Sequence, residues 1–142
     1  DSIQPWIYRD PVAQLRHGQR ALDLIKAIPD RSTVAATTGL IPHLANREVL
    51  IRFPYHDRYQ NQDGQPFPVD WVVADLHNQR LFQTFRKQRR GLKRNLRQLD
   101  DLIRQDYDVV AFDDGVVLLQ RKGHADTAAQ QEFRAFSESL NV

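Results

Sequence analysis

The 142-residue chain contains no cysteine and no methionine. Without cysteine it cannot form disulfides, use a thiol as a nucleophile or hold a metal through sulfur. No apolar run reaches the roughly 18 residues that a membrane-spanning helix needs, and the start of the chain has no signal segment. Because the chain begins with Asp1 rather than methionine, we expect residues 1–142 to be a single domain cut from a longer protein.

Complete catalytic motifs are also missing from the sequence. There is no Gly-x-Ser-x-Gly nucleophile motif, no Gly-x-Gly-x-x-Gly dinucleotide motif and no His-Glu-x-x-His zinc motif. We therefore expect the isolated domain to lack catalytic activity and to need neither a metal nor a cofactor.

Charge is distributed unevenly along the chain. Segment 80–104 holds nine basic and two acidic residues, whereas the remainder holds 11 basic and 16 acidic residues, within a formal net charge of +2. One strongly basic element therefore belongs to an otherwise acidic domain.

The apolar residues recur in a pattern that predicts alternating helices and strands. Asp10 and Pro11 are typical of a helix start, and a long helix is predicted over 79–105. Strands are predicted over 33–37, 48–53, 70–75, 107–112 and 116–121. The predicted buried stripes are those of the first helix (Val12, Leu15, Leu22, Ile25), the long helix (Leu81, Phe85, Leu92, Leu96, Leu99, Ile103) and a last helix capped by Asp126 (Ala129, Phe133, Phe136, Leu140).

The order of these elements predicts an α/β fold in a single domain. We expect a mostly parallel, Rossmann-like sheet with helices on both faces, because 70–75 is apolar on both sides of the strand. Asp113, Asp114 and Gly115 predict the turn of an antiparallel hairpin at one edge. We expect the two carboxylates to serve the geometry of that turn.

Polar residues follow two of the predicted strands and form the candidate ligand site. In α/β proteins ligands bind at the carboxyl ends of the strands, where a short helix would also offer free N–H groups to an anion. The alternative is a tight strand-to-helix turn in which these polar groups satisfy the local backbone. The candidate ligand-binding residues are Thr37, Thr38, Pro42, His43, Arg47, Asp75 and His77. Asp75 and His77 also suggest an acid–base pair or, with His43, a metal site, but helix capping is favoured because no metal-binding motif is present.

Segment 55–69 is predicted to be a polar loop whose aromatic residues either stack on a sugar or cover the edge of the core.

The long helix presents its basic residues away from its apolar stripe. This face is either simply solvated or binds an anionic surface, and lipid head groups are favoured over nucleic acid because the acidic remainder of the domain would repel a polyanion. Its candidate surface-binding residues are Arg86, Arg89, Arg90, Lys93, Arg94 and Arg97.

Several segments of residues 20–122 resemble the C-terminal soluble part of the predicted multi-spanning bacterial membrane proteins known as the domain of unknown function 2079 family. The distinctive segment is Pro42-His43-Leu44 after an Ala-Thr strand. The other matching segments are Ala27-Ile28-Pro29, Val34–Thr37, Arg47, Phe53-Pro54, Asp70–Asp75, Val110–Phe112, Asp114–Val116 and Leu118-Leu119.

The resemblance implies a parent with many transmembrane helices, similar to glycosyltransferases that use lipid-linked sugars. It implies that this chain is an accessory or ligand-binding domain on the extracytoplasmic side of the bacterial inner membrane. Its partners would be the remainder of its own membrane-embedded chain and anionic lipid head groups or a lipid-linked sugar. Two alternatives stay open: a basic nucleic-acid-binding α/β domain, and a purely structural module that docks a partner.

Overall fold

The computed structural model of the chain describes residues 11–54, 58–60, 63–77 and 86–140. The helices are α1 (Pro11–Ile25), a 3₁₀ helix (Thr38–Leu44), α2 (Arg86–Gln105) and α3 (Thr127–Ser139). The strands are β1 (Thr33–Ala36), β2 (Val49–Arg52), β3 (Arg58–Gln60), β4 (Pro66–Pro68), β5 (Trp71–Asp75), β6 (Tyr107–Asp113) and β7 (Val116–Arg121).

Five strands form one sheet in the order β2-β1-β5-β7-β6. The pairs β1–β2 and β1–β5 are parallel, whereas β5–β7 and β6–β7 are antiparallel. The sheet is therefore mixed, and the expected mostly parallel, Rossmann-like sheet is not confirmed. The reason is that β7 returns between β5 and β6, so a reversed strand separates two strands that run in the same direction.

The hairpin at the β6 edge is confirmed, and its turn consists of Asp114 and Gly115. Both residues have positive φ, 51° and 82° respectively. This is the backbone that a two-residue turn requires to match the twist of the strands, and Asp-Gly is a preferred sequence for it.

Helices cover both faces of the sheet, as expected for an α/β fold. On one face α2 and α3 pack through residues including Leu92, Leu99 and Phe133. On the other face α1 and the 3₁₀ helix contribute residues such as Ile25 and Leu44. Strand β5 contributes alternate residues to the two cores, which explains its uninterrupted apolar sequence.

The buried face of α1 differs from the predicted stripe. Val12 and Leu15 are 57% and 66% exposed, so their assignment to the core is wrong. The buried residues of this helix are His17, Ala21 and Ile25, which follow one another at intervals of four. The polar residue His17 therefore faces the core, whereas the apolar pattern predicted that Val12 and Leu15 would do so.

The basic helix α2 is described from Arg86 onward, and the predicted stripe positions Leu81 and Phe85 lie outside the described residues. Leu92 and Leu99 are buried as predicted, while Leu96 and Ile103 are partly buried. Asn95 and Leu102 of α2 are also buried, so they belong to the same sheet-facing side of the helix as Leu92 and Leu99.

The predicted loop 55–69 contains a small antiparallel ribbon of β3 and β4, apart from the main sheet. Residues 55–57 and 61–62 lie outside the described residues. In α3, Asp126 caps the first turn by accepting a hydrogen bond from the backbone N–H of Ala129 at 3.0 Å, as predicted.

Candidate functional site

A cleft of about 250 Å³ opens at the carboxyl ends of three neighbouring parallel strands. We call it the strand-end cleft. Strands β1, β2 and β5 all run toward this edge, because β1 is parallel to both of its neighbours. The residues that follow these strands form one wall, and α2 closes the other. The lining residues are Thr37, Thr38, Phe53, Pro54, Asp75, Gly91, Arg94 and Asn95.

Backbone hydrogen bonds fix the wall formed by β1 and β5. The backbone N–H of Thr37 donates to the carbonyl of Val73 at 3.2 Å, which extends the β1–β5 pairing by one residue. The backbone N–H of Asp75 in turn donates to the Thr37 hydroxyl oxygen at 3.0 Å. Thr37 and Asp75 are therefore held side by side, with a hydroxyl and a carboxylate at the edge of the cleft.

Directly behind Asp75, His17 of α1 contacts two carboxylates. Its Nε2 lies 2.7 Å from Asp75 Oδ2 and its Nδ1 lies 2.8 Å from Asp114 Oδ2. His77 stacks on the His17 ring with the centroids 4.1 Å apart, and its Nδ1 lies 3.9 Å from Asp114 Oδ1. The backbone N–H of His77 donates to Asp75 Oδ1 at 3.0 Å. Arg20 adds a longer contact to Asp114, at 3.9 Å.

The two carboxylates control the charge of His17. Burial by itself lowers the pKa of this imidazole, but the hydrogen bonds and negative charges of Asp75 and Asp114 outweigh it, so that the pKa lies above its ordinary value of 6.5. Both ring nitrogens face carboxylate oxygens, which matches a protonated ring that donates on both sides.

The seven sequence-predicted ligand residues do not all come together in the structure. Thr37, Thr38 and Asp75 line the strand-end cleft, and His77 lies next to Asp75 and Asp114. The remaining residues, Pro42, His43 and Arg47, do not line the cleft.

Arg47 instead connects two loops. Its Nη2 donates to the carbonyl of Ile28 at 3.0 Å, and its Nη1 donates to Asn46. Pro42 and His43 are exposed on the 3₁₀ helix.

The basic residues of α2 are all exposed, as expected from a stripe that faces the core. We call six of them the basic surface, which consists of Arg86, Arg89, Arg90, Lys93, Arg94 and Arg97. Arg94 belongs to the basic surface and also lines the strand-end cleft. The cleft thus combines a cation from α2 with hydroxyls and a carboxylate from the strand ends.

Two residues of this region, His17 and Asp114, were not predicted as site residues. The available signal for His17 is its spacing of four and eight residues from Ala21 and Ile25, which puts a titratable side chain on a buried helical face. The sequence predicts a turn at Asp114, which its backbone confirms, but this prediction does not account for the contact of its carboxylate with His17.

Comparison with known proteins gives one family. The sequence model of that family, described as predicted membrane protein (DUF2079), matches residues 1–118. No curated protein and no solved structure matches the chain. Within the described residues, no helix combines the length and apolar character needed to cross a bilayer. Because the match covers most of the chain, we conclude that the chain belongs to the domain of unknown function 2079 family of predicted membrane proteins.

Proposed function

We propose that this chain is the ligand-binding domain of a membrane protein, and that the strand-end cleft takes a small anionic compound that carries hydroxyl groups. The observation that carries the proposal is the meeting of Arg94 with the hydroxyls of Thr37 and Thr38 in one cleft. A guanidinium group pairs with phosphate or carboxylate in a bidentate manner. Threonine hydroxyls that accept one hydrogen bond can still donate another to the same anion.

Asp75 provides the complementary contact for a ligand hydroxyl. Its two oxygens already accept from His17 and from the backbone of His77, but a carboxylate has about four lone-pair sites and can accept further bonds. The cleft of about 250 Å³ is smaller than the roughly 300–1,000 Å³ of sites for drug-sized ligands. Its size therefore favours a phosphorylated monosaccharide over a nucleotide sugar.

A sugar phosphate is also the head group of a lipid-linked sugar. We propose that the parent acts on such a lipid and that this domain has an accessory role, on the extracytoplasmic side of the membrane, in holding that head group. In this proposal the reaction itself takes place in the membrane-embedded part of the chain.

The test is calorimetric titration of the 142-residue chain with glucose 1-phosphate, with inorganic phosphate and free glucose as comparison ligands. Arg94→Gln should weaken binding of glucose 1-phosphate about ten-fold or more, as expected for the loss of a charge-assisted contact. Arg90→Gln is the matched control, because Arg90 is exposed on the same helix and does not line the cleft. Undetectable binding at millimolar concentration, or equal effects of the two substitutions, would contradict the proposal.

A second proposal concerns the basic surface, which we propose rests on anionic lipid head groups. Membership in a membrane-protein family supports this, as does the concentration of the six exposed cations of the basic surface on an otherwise acidic domain. Each basic residue close to an anionic membrane contributes roughly 1 kcal/mol. Arg94 belongs to both surface and cleft, so a domain that rests on its basic surface would bring the cleft near the lipids.

Vesicles of phosphatidylcholine with and without phosphatidylglycerol test this orientation. We expect binding only to the anionic vesicles, weaker at higher salt, and lost when Arg89, Arg90 and Lys93 are replaced by glutamine. Replacement of the exposed Arg16, Lys26 and Arg31 removes the same charge elsewhere and should have little effect. Equal loss of vesicle binding in both triple variants would contradict the proposal, because it would show that only the net charge of the domain matters. Binding of duplex DNA in place of vesicles would support the nucleic-acid alternative.

A further inference from the structure

Three potential metal ligands meet behind the strand-end cleft, and each comes from a different element. They are His17 of α1, His77 after β5 and Asp114 of the β6–β7 turn, and we call them the His17–His77–Asp114 cluster. One ligand atom from each residue lies within 4.8 Å of the others. His17 Nδ1 lies 2.8 Å from Asp114 Oδ2, and His77 Nδ1 lies 3.9 Å from Asp114 Oδ1.

Asp75 orients this cluster from outside. It accepts a hydrogen bond from Nε2 of His17 at 2.7 Å, which fixes the ring and leaves Nδ1 as the nitrogen that faces Asp114. A carboxylate on the far nitrogen of a histidine is the usual outer partner of a metal-ligating histidine. The same carboxylate accepts from the backbone N–H of His77 at 3.0 Å, so it also holds the main chain that carries the second imidazole.

We propose that the His17–His77–Asp114 cluster binds a divalent transition metal, with Zn²⁺ as the best match. Two imidazole nitrogens and one carboxylate oxygen are a common zinc ligand set, and a fourth position is left for water. Calcium and magnesium are poor matches because they require oxygen ligands almost exclusively. The ion would occupy the space between His17 Nδ1 and Asp114, and it would displace to solvent the proton that these two atoms share.

Binding requires small movements of the side chains. With metal–ligand bonds of about 2.0–2.2 Å, ligand atoms in a tetrahedral site lie roughly 3.3 Å apart. The 2.8 Å contact must therefore open slightly and the longer contacts must close. The rings of His17 and His77, now stacked with 19° between their planes, must also splay so that each ring plane contains the ion.

This inference does not depend on the ligand proposed for the strand-end cleft. Of the cleft residues, Asp75 alone contacts the cluster through a side-chain hydrogen bond given above, and Arg94 takes no part in it. Arg94→Gln should therefore leave metal binding unchanged, while His77→Gln should leave Arg94 and the threonine hydroxyls in place. The two proposals can fail separately.

The test is a calorimetric titration of the tag-free, chelator-treated 142-residue chain with Zn²⁺. We expect one ion per chain, and binding weakened at least ten-fold by His77→Gln or Asp114→Asn, and about ten-fold by Asp75→Asn through its outer contact. His43→Gln and His124→Gln are matched controls, since both histidines are exposed and outside the cluster. Failure of the wild-type chain to bind Zn²⁺ stoichiometrically would overturn the proposal, and so would equal loss in the control variants.

A measurement on the unaltered chain covers the case in which a variant does not fold. The X-ray absorption spectrum of the zinc-loaded chain should show scattering from two imidazole rings, and its thermal midpoint should rise with Zn²⁺ concentration. Scattering from one ring or none would overturn the assignment of both histidines.

Discussion

His17 and Asp75 are 58 residues apart in the chain, yet His17 Nε2 lies 2.7 Å from Asp75 Oδ2. The contact joins the buried face of α1 to the carboxyl end of β5. Because Asp114 binds the other nitrogen of the same ring at 2.8 Å, one imidazole connects α1, β5 and the β6–β7 turn. The stability of this arrangement must then depend on the charge of that ring.

The first prediction is a pH dependence of stability, measured with a chelator present. The pKa of His17 is raised in the folded protein by Asp75 and Asp114, so its contribution is complete below the pKa of the unfolded chain. That contribution is lost as pH rises through the folded-state pKa. We therefore expect the free energy of unfolding in urea to fall as the pH rises above the ordinary histidine pKa of 6.5 and through the raised pKa of His17.

The control for this prediction is a pair of variants. His17→Gln should remove most of the decrease, whereas His124→Gln should retain it, because His124 is exposed. The charged and titratable groups around this ring are Asp75, Asp114 and the stacked His77, with Arg20 in contact with Asp114, and all of them are retained in both variants. An equal slope in the wild type and His17→Gln would show that another group is responsible.

The second prediction concerns the Thr37 hydroxyl, which accepts from the backbone N–H of Asp75. Thr37→Val keeps the shape of the side chain but leaves that N–H without its partner, at a cost of about 1–3 kcal/mol. Thr37→Ser retains the hydroxyl and should recover most of the loss. Urea denaturation of the two variants gives the comparison, and similar stability of valine and serine would show that the hydrogen bond contributes little.

The third prediction concerns Gly115, whose φ is +82° and whose added Cβ would lie 3.2 Å from the backbone of His77. Gly115→Ala should lower the free energy of unfolding by about 1–2 kcal/mol or more, from the backbone conformation alone. Gly18→Ala is the opposite case, because α1 is helical there and nothing lies within 4 Å of the added carbon. It should stabilise the chain by up to about 1 kcal/mol. Equal effects at the two positions, measured by urea denaturation, would contradict this account.

The fourth prediction separates the two faces of α2. Leu99 is fully buried, so Leu99→Ala should cost about 2–5 kcal/mol in the free energy of unfolding. Arg97 is exposed on the same helix, and Arg97→Ala should change it by no more than about 0.5 kcal/mol. Calorimetric melting of both variants is the measurement, and a small effect at Leu99 would mean that α2 is not packed as described.

The sequence predicts turns, helix caps and buried helix faces well, because these depend on residues that are close together in the chain. The Asp-Gly turn, the Asp126 cap and the burial of Leu92 and Leu99 all follow from local geometry or helical spacing. The order of the strands could not be predicted in the same way. Insertion of β7 between β5 and β6 depends on long-range pairing, for which an apolar strand shows no preference in its sequence.

The candidate site could be predicted only in part for a similar reason. Thr37, Thr38 and Asp75 were found because strand ends are visible in the sequence. His17 was not found, because its role depends on which side of α1 faces the sheet. The exposed Val12 and Leu15 pointed to a different face.

The position of β7 in the sheet has a consequence for folding during synthesis of the chain. Until residues 116–121 leave the ribosome, β5 has a neighbour only on its β1 side, so the centre of the sheet is an open edge. A chain that ended at residue 118, where the family match ends, would also lack the partners of Trp71 and Val72, which are Gln120 and Leu119. Such a chain would leave those backbone groups open to pairing with other molecules. The residues just beyond the family match therefore complete the pairing of β5 in the centre of the sheet.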